Sequence, residues 1–382
     1  MAGDTHWVGT WATSPVVTEG LAFDNQTLRI IARVSIGGTR VRVRVSNACG
    51  LGKLTIGGAR IGLRERDARI VPGSDRALTF GGLPSVTIPV GALAVSDPVA
   101  LDLPDLADVA VSLHVPGKIA ESLPITGHGN ARQSNYVSPP GDHTKAADMP
   151  VAQVTENWYF LTGIDVLAPR EVGCIVAFGD SLTDGNLSTP DTNARWPDQL
   201  ARRIVARGAG RRMSVVNHGI GGNRILHDMR GDSGLRRFDR DVLAQVGASH
   251  VIVFLGTNDL RNRNAKPEEE VTAADMIAGL QQIAARGQAA GLKIYGCTLL
   301  PYENETFLPG AWTPKRDAYR NEVNAWIRDR GAFDTVIDFD KTLRDPAHPA
   351  RMLPPYDCGD HLHPGDLGYK TLGDSIPLSL FD

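Results

Sequence analysis

The hydrophobic period changes once along this chain, and that change limits the fold more than any other feature. Residues 39–47 read TRVRVRVSN, with Val41, Val43 and Val45 alternating with Arg40, Arg42 and Arg44. Successive side chains on a strand point to opposite faces, so this segment is a half-buried β-strand with one apolar and one cationic face. Similar short pieces, LRIIARVSI, ALTF, SVTIPV, PVALDL, DVAVSLHV and NWYFLTGIDVLA, fill the chain to about residue 165, and Gly, Pro, Asp or Asn separates most of them. No amphipathic helical period interrupts them. The pattern predicts an all-β sandwich or jelly roll.

From GCIVAFGD (173–180) onward, continuous apolar runs alternate with helical periods. Strands are expected near 173–178, 213–217, 250–255, 292–298 and 335–339. Helices are expected near 194–207, 236–245, 268–289, 315–330 and 365–375. Apolar strands separated by helices argue for a parallel sheet covered on both faces. A chain of 382 residues suits two domains. The expected division is 1–168, the β-sandwich, and 169–382, an α/β unit, with VLAPREVG (166–173) as the linker.

Composition excludes several classes. A net charge of −3 gives no electrostatic footprint for nucleic acid or an anionic membrane. The basic stretch ARRIVARGAGRR (201–212) reads as cations near a helix C-terminus, on a solvated face. No apolar run approaches the ~20 residues that span a bilayer, and VIVFL (251–255) is a buried strand. The four cysteines, Cys49, Cys174, Cys297 and Cys358, form no C-x-x-C pair, so neither a zinc knuckle nor a redox motif is expected. MAGDTHWVGTWATSP at the N-terminus has no charged start followed by an apolar stretch. The expectation is a cytoplasmic protein, or a secreted one whose signal has been removed. Nothing in the sequence sets an oligomeric state.

The chemistry-bearing residues fall at the ends of the expected strands, where open parallel sheets bind ligands. FGDSLTDG (178–185) places Ser181 at a strand-to-helix turn, and NHGIGGNRI (217–225) offers glycine N–H groups. FLGTNDL (254–260) adds the Asn258 amide, and CGDHLHPGD (358–366) adds carboxylates and imidazoles. A serine hydroxyl is a weak nucleophile until an imidazole removes its proton. The imidazole needs a carboxylate to fix its tautomer, and the developing oxyanion needs prepositioned donors. Those are the parts of an acyl-transfer site. Cys358, Asp360, His361, His363 and Asp366 could instead ligate a metal. Zinc catalysis, however, usually takes three ligands set on rigid elements, and neither an H-E-x-x-H helix nor a second cluster complements this loop. In the first half, Trp7 and Trp11 are four apart and read as packing rather than a sugar platform.

Together, GDSL at Gly179–Leu182, G-G-N at Gly221–Asn223, GTND at Gly256–Asp259 and D-x-x-H at Asp360–His363 resemble the four spaced blocks of the GDSL, or SGNH, hydrolase superfamily. They occur in the family order over residues 173–382. WVGTWATSP and VRVRVSN are similar to a subgroup with an N-terminal β-sandwich domain. The resemblance implies a flavodoxin-like α/β/α three-layer domain and a serine esterase or acylhydrolase that needs no cofactor or metal. It implies Ser181 as nucleophile, His363 as general base and Asp360 as the residue orienting the imidazole. Ser181 N–H, Gly222 N–H and the Asn258 side chain would form the oxyanion hole, and Asp180 would brace the turn. Small aryl or alkyl esters, or acylated carbohydrates, are the implied substrates. LRNRN (260–264) is unusually cationic, so Arg261 and Arg263 are expected near the acyl or alcohol pocket, favouring anionic substrates. The alternatives are an acyltransferase using the same triad and an inactive glycan-binding protein.

Overall fold

Val41, Val43 and Val45 are fully buried and the intervening Arg42 and Arg44 half-buried, as the alternation requires. The structure is a computed structural model that describes residues 4–19, 22–120, 123–208, 210–262, 266–329 and 331–382. The chain divides into two units, Met1–Val172 with Pro190–Asn193, and Gly173–Thr189 with Ala194–Asp382.

The first unit is built on two larger antiparallel sheets. In one, Leu161–Pro169 lies between Thr5–Ala12 and Gly38–Ser46. In the other, Asp108–Ile119 lies between Phe23–Arg33 and Gly58–Arg66. The cationic face of TRVRVRVSN has a specific partner. Register sets Asp165 opposite Arg42, and the fully buried Asp165 carboxylate pairs with Arg42 at 3.0 Å and Arg44 at 3.3 Å. Trp7 lies beneath the Arg42 guanidinium, and Trp11 meets Trp158 edge-on at 5.1 Å, so both tryptophans serve packing. The expected linker is shorter than its Pro and charged residues indicate. Residues 166–169 belong to a strand that stays paired with Thr5–Ala12 as far as Pro169. Pro at a strand end removes no ladder bond.

The second unit holds a parallel sheet of β1 (Gly173–Gly179), β2 (Met213–Gly219), β3 (Ala248–Phe254), β4 (Lys293–Cys297) and β5 (Thr335–Ile337). Its order is β2-β1-β3-β4-β5, all parallel, the flavodoxin-like winding. In that winding the crevice for ligands opens between β1 and β3, beyond their carboxyl ends. The helices are α1 (Ser181–Asp184), α2 (Trp196–Arg207), α3 (Gly234–Phe238), α4 (Thr257–Leu260), α5 (Ala273–Ala289), α6 (Pro314–Arg328), α7 (Phe339–Leu343) and α8 (Asp366–Ser375).

Two expected helices are revised. The one near 236–245 is α3 followed by a π-helical turn, Asp239–Leu243. The one near 268–289 is split, because Thr272 and Asp275 make a capping box in which each side chain accepts the other's backbone N–H, and this starts α5 afresh at Ala273. The one near 365–375 is α8, and Pro364, two residues before it, bridges to Asp357. Two of the arginines of α2, Arg203 and Arg207, are tied to the C-terminal segment. Arg203 donates to the Gly373 and Ile376 carbonyls, and Arg207 to Leu378 O and Asp382.

Candidate active site

The turn that carries Ser181 is made by a close approach. A β-carbon on Gly179 would lie 2.1 Å from Thr183 Oγ1 and 2.5 Å from Phe254 O, so only glycine lets β1 turn into α1 here. Asp180 caps the turn by accepting the Leu182 N–H at 3.0 Å. Ser181, nearly buried, sets its Oγ 2.8 Å from His363 Nε2. His363 Nδ1 lies 2.6 Å from Asp360 Oδ2, and Asp360 Oδ1 accepts the His363 and Leu362 N–H groups. A carboxylate only accepts, so Nδ1 carries the proton and Nε2 of the neutral ring is left to accept from Ser181. Burial pushes the Asp360 carboxyl up, but the hydrogen bond and charge of His363, with the two backbone N–H groups, prevail and hold it down at about 2. It therefore stays ionised wherever His363 has a proton to direct.

The three donors implied for the oxyanion follow β1, β2 and β3. Among the described residues neither the Ser181 N–H nor the Gly222 N–H has a partner. The Gly221 N–H instead donates to Asp184 Oδ2 at 3.1 Å, so the two glycines differ in their bonding. Gly222 has φ +78°, the left-handed conformation that glycine adopts without strain. Asn258 is buried, with Nδ2 donating to Asn223 O at 3.0 Å and Oδ1 accepting from Arg261 Nη1 at 2.9 Å. Asp259, next to it, accepts from Ile225 N and Leu226 N and so clamps the glycine loop to the end of β3. Arg237 ties the same loop to β1, donating to Gly179 O, His218 O and Asn223 Oδ1.

Arg261, expected near the acyl or alcohol pocket, is engaged within the protein. It is 2% exposed, and its guanidinium is bonded to Asn258 and to the buried carboxylate of Glu305 at 2.7 Å. A cation neutralised in this way offers little to an anionic substrate. Arg263 lies outside the described residues.

Other residues at the site escaped sequence reasoning. Asn186 Nδ2 stands 3.4 Å from His363 Nε2, and Phe307, about half exposed, meets the His363 ring edge-on at 5.3 Å. Asn186 sits five residues after Ser181, close enough to have been considered. Glu305 and Phe307 carry no motif. Of the remaining histidine-loop residues, His361 bonds Asp357 at the surface and Asp366 caps Thr189 N. Asp357, Cys358 and Asp360 bring three potential metal-ligand atoms within 4.8 Å of one another. The two carboxylates are already bonded, Asp357 to Gly359 N and His361, Asp360 to Leu362 N and His363.

Asp180 and Asp259 make stability depend on pH. Burial pushes the Asp180 carboxyl up to about 7, opposed by the Leu182 N–H and by Arg261, and pushes that of Asp259 up to about 6, opposed by the Ile225 and Leu226 N–H groups. A folded-state value above the unfolded one means that the native protein retains a proton the unfolded chain releases. The contribution is present in full below about pH 4 and is lost as pH rises to about 7, by at most ~1.4 kcal/mol per pH unit for one group. Urea unfolding of Asp180→Asn is expected to show a flatter profile than the parent between pH 5 and 7. Parallel profiles would assign the slope elsewhere.

The family model for the GDSL-like lipase/acylhydrolase family matches residues 177–371, just over half of the chain and the whole of the arrangement described above. The chain belongs to the GDSL-like lipase/acylhydrolase family. No curated protein matches it. Among solved structures, this GDSL-family chain is similar to a lipase/acylhydrolase from Enterococcus faecalis, at 24% identity and a TM-score of 0.41, covering 53% of this chain and 93% of that one. A GDSL-like lipase from Bacteroides thetaiotaomicron is 17% identical, with a TM-score of 0.39 and coverage of 54% and 86%. A carbohydrate acetylesterase from Sinorhizobium meliloti is 16% identical, with a TM-score of 0.41 and coverage of 53% and 96%. No helix among the described residues is long and apolar enough to cross a membrane.

Proposed function

We propose that this GDSL-family protein is a serine esterase that hydrolyses carboxylic esters through an acyl-enzyme on Ser181. The observation that carries the reading is the continuous line Asp360–His363–Ser181, at 2.6 and 2.8 Å, together with Ser181 and Gly222 N–H groups that have no partner among the described residues. His363 Nε2 takes the Ser181 proton as Oγ bonds to the ester carbonyl carbon. The tetrahedral oxyanion receives the Ser181 and Gly222 N–H groups and the remaining Asn258 N–H. As the carbon–oxygen bond to the alcohol breaks, His363 returns the proton to the leaving oxygen. Water then enters, gives its proton to His363, and releases the acid as Ser181 recovers its hydrogen. No step requires a cofactor.

Small aryl or alkyl esters and acylated carbohydrates are the proposed substrates. The half-exposed Phe307 ring beside His363 supports them, since it offers a flat apolar wall to an aryl or sugar ring. A panel of acetyl to octanoyl esters of aryl alcohols and sugars, with product analysis, tests the reading. Acid and free alcohol are expected, with short acyl chains preferred. Transfer to an added alcohol in preference to water would make the protein an acyltransferase, and no turnover of any ester would overturn the proposal. Asn258→Ala is expected to lower kcat by ~10²–10³, the usual effect of one oxyanion donor. Steady-state kinetics on the best ester reads this directly, and an unchanged kcat would remove Asn258 from the oxyanion hole.

A further inference from the structure

An amide side chain presents two donors at one end and an acceptor at the other, and a half-turn about its terminal bond exchanges them. For Asn258 that turn would point a carbonyl oxygen where an N–H is needed, and repulsion would replace stabilisation. Two contacts forbid it. Asn223 O accepts only, so Nδ2 must face it, at 3.0 Å; Arg261 donates only, so Oδ1 must face its Nη1, at 2.9 Å. One N–H of the amide is then left for a substrate.

Arg261 is itself held. Its Nε and Nη2 bond Glu305 Oε1 at 3.2 and 2.7 Å, and both side chains are at most 2% exposed. The other carboxylate oxygen, Oε2, accepts Phe307 N at 2.9 Å and Leu308 N at 3.2 Å. The same short loop reaches the acid of the histidine pair, since Thr306 N donates to Asp360 O at 3.1 Å, and it sets the Phe307 ring on His363. A buried ion pair adds little net stability compared with an apolar pair of the same shape, so its use here is sought in geometry rather than in energy.

We propose that Arg261 is a positioning residue: it locks the Asn258 amide in its donating orientation and, through Glu305, joins that donor to the loop that carries Phe307 against His363. The proposal rests on Asn258 serving the oxyanion. Arg261 touches no reacting atom, so its effect belongs on kcat rather than on substrate binding, and it disappears once there is no amide to orient.

Arg261→Lys tests this with least risk to folding, because it keeps a cation for Glu305 but lacks the second nitrogen that holds Asn258. Thermal unfolding establishes that the variant is folded, and Arg261→Met/Glu305→Leu, which removes both charges together, serves as a second variant. On the best ester, either is expected to lower kcat about tenfold or more, with KM changed less than about threefold. In an Asn258→Ala background Arg261→Lys is expected to lower kcat less than about twofold further. Equal losses in the two backgrounds, or a wild-type kcat in the folded variants, would overturn the positioning role. If Asn258→Ala alone lowers kcat while the Arg261 variants do not, this proposal fails and the esterase reading stands. If Asn258→Ala has no effect, both the oxyanion assignment and this proposal fail.

Discussion

Ser181→Ala is expected to lower kcat by about 10⁶, the scale seen when the nucleophile of such a triad is removed. The size follows from what the hydroxyl does: without Oγ there is no covalent intermediate, and His363 Nε2 loses the group placed 2.8 Å away. What survives is the ~10³–10⁴ over uncatalysed hydrolysis that binding and the oxyanion donors supply by themselves. The variant should fold, because the turn is held by Gly179 and by the Asp180 cap, neither of which uses the hydroxyl. Burst-free, trace hydrolysis of an aryl ester by a protein of unchanged melting temperature is the expected result. Full turnover would refute the nucleophile assignment.

Asp360→Asn is expected to lower kcat by up to ~10⁴ through the imidazole tautomer. Here the local bonding decides how the new amide sits. Asp360 Oδ1 accepts two backbone N–H groups, from Leu362 and His363, so the amide oxygen must take that place and the NH₂ must face His363 Nδ1. Nδ1 is then forced to accept, the proton moves to Nε2, and Ser181 has no base. The substitution leaves the loop's backbone bonds intact, so the loss belongs to kcat with little change in stability. Kinetics beside a melting curve checks both halves, and a loss of tenfold or less would place the orienting carboxylate elsewhere.

Much of this architecture was legible because period is a local property. TRVRVRVSN alternates in sequence and in burial, and each parallel strand lies within a few residues of its expected place. Three of the blocks follow the ends of β1, β2 and β3, while the fourth lies in a loop beyond α7; the resemblance to the family's spaced blocks is what named Ser181, Gly222, Asn258, Asp360 and His363. Pairing across long separations was not legible. Asp165 as the partner of Arg42 and Arg44 depends on strand register, and Glu305 as the partner of Arg261 depends on a loop 44 residues away. Sequence shows the charge of Arg261 and not its neutralisation. Its spacing, one helical turn after Asn258, was the signal that both side chains share a face. The capping box at Thr272 was readable from T-x-x-D and would have split the expected helix correctly.

The central claim is that a nucleophilic Ser181, activated by His363, carries the acyl group. The most direct measurement is peptide mass mapping after reaction with an aryl-leaving-group phosphonate, which forms a stable bond to an activated serine. One phosphonyl group per chain on the peptide containing Ser181, with activity lost in proportion and no labelling of His363→Ala, is the predicted result. Labelling at another residue, or full esterase activity in a protein labelled at Ser181, would contradict it.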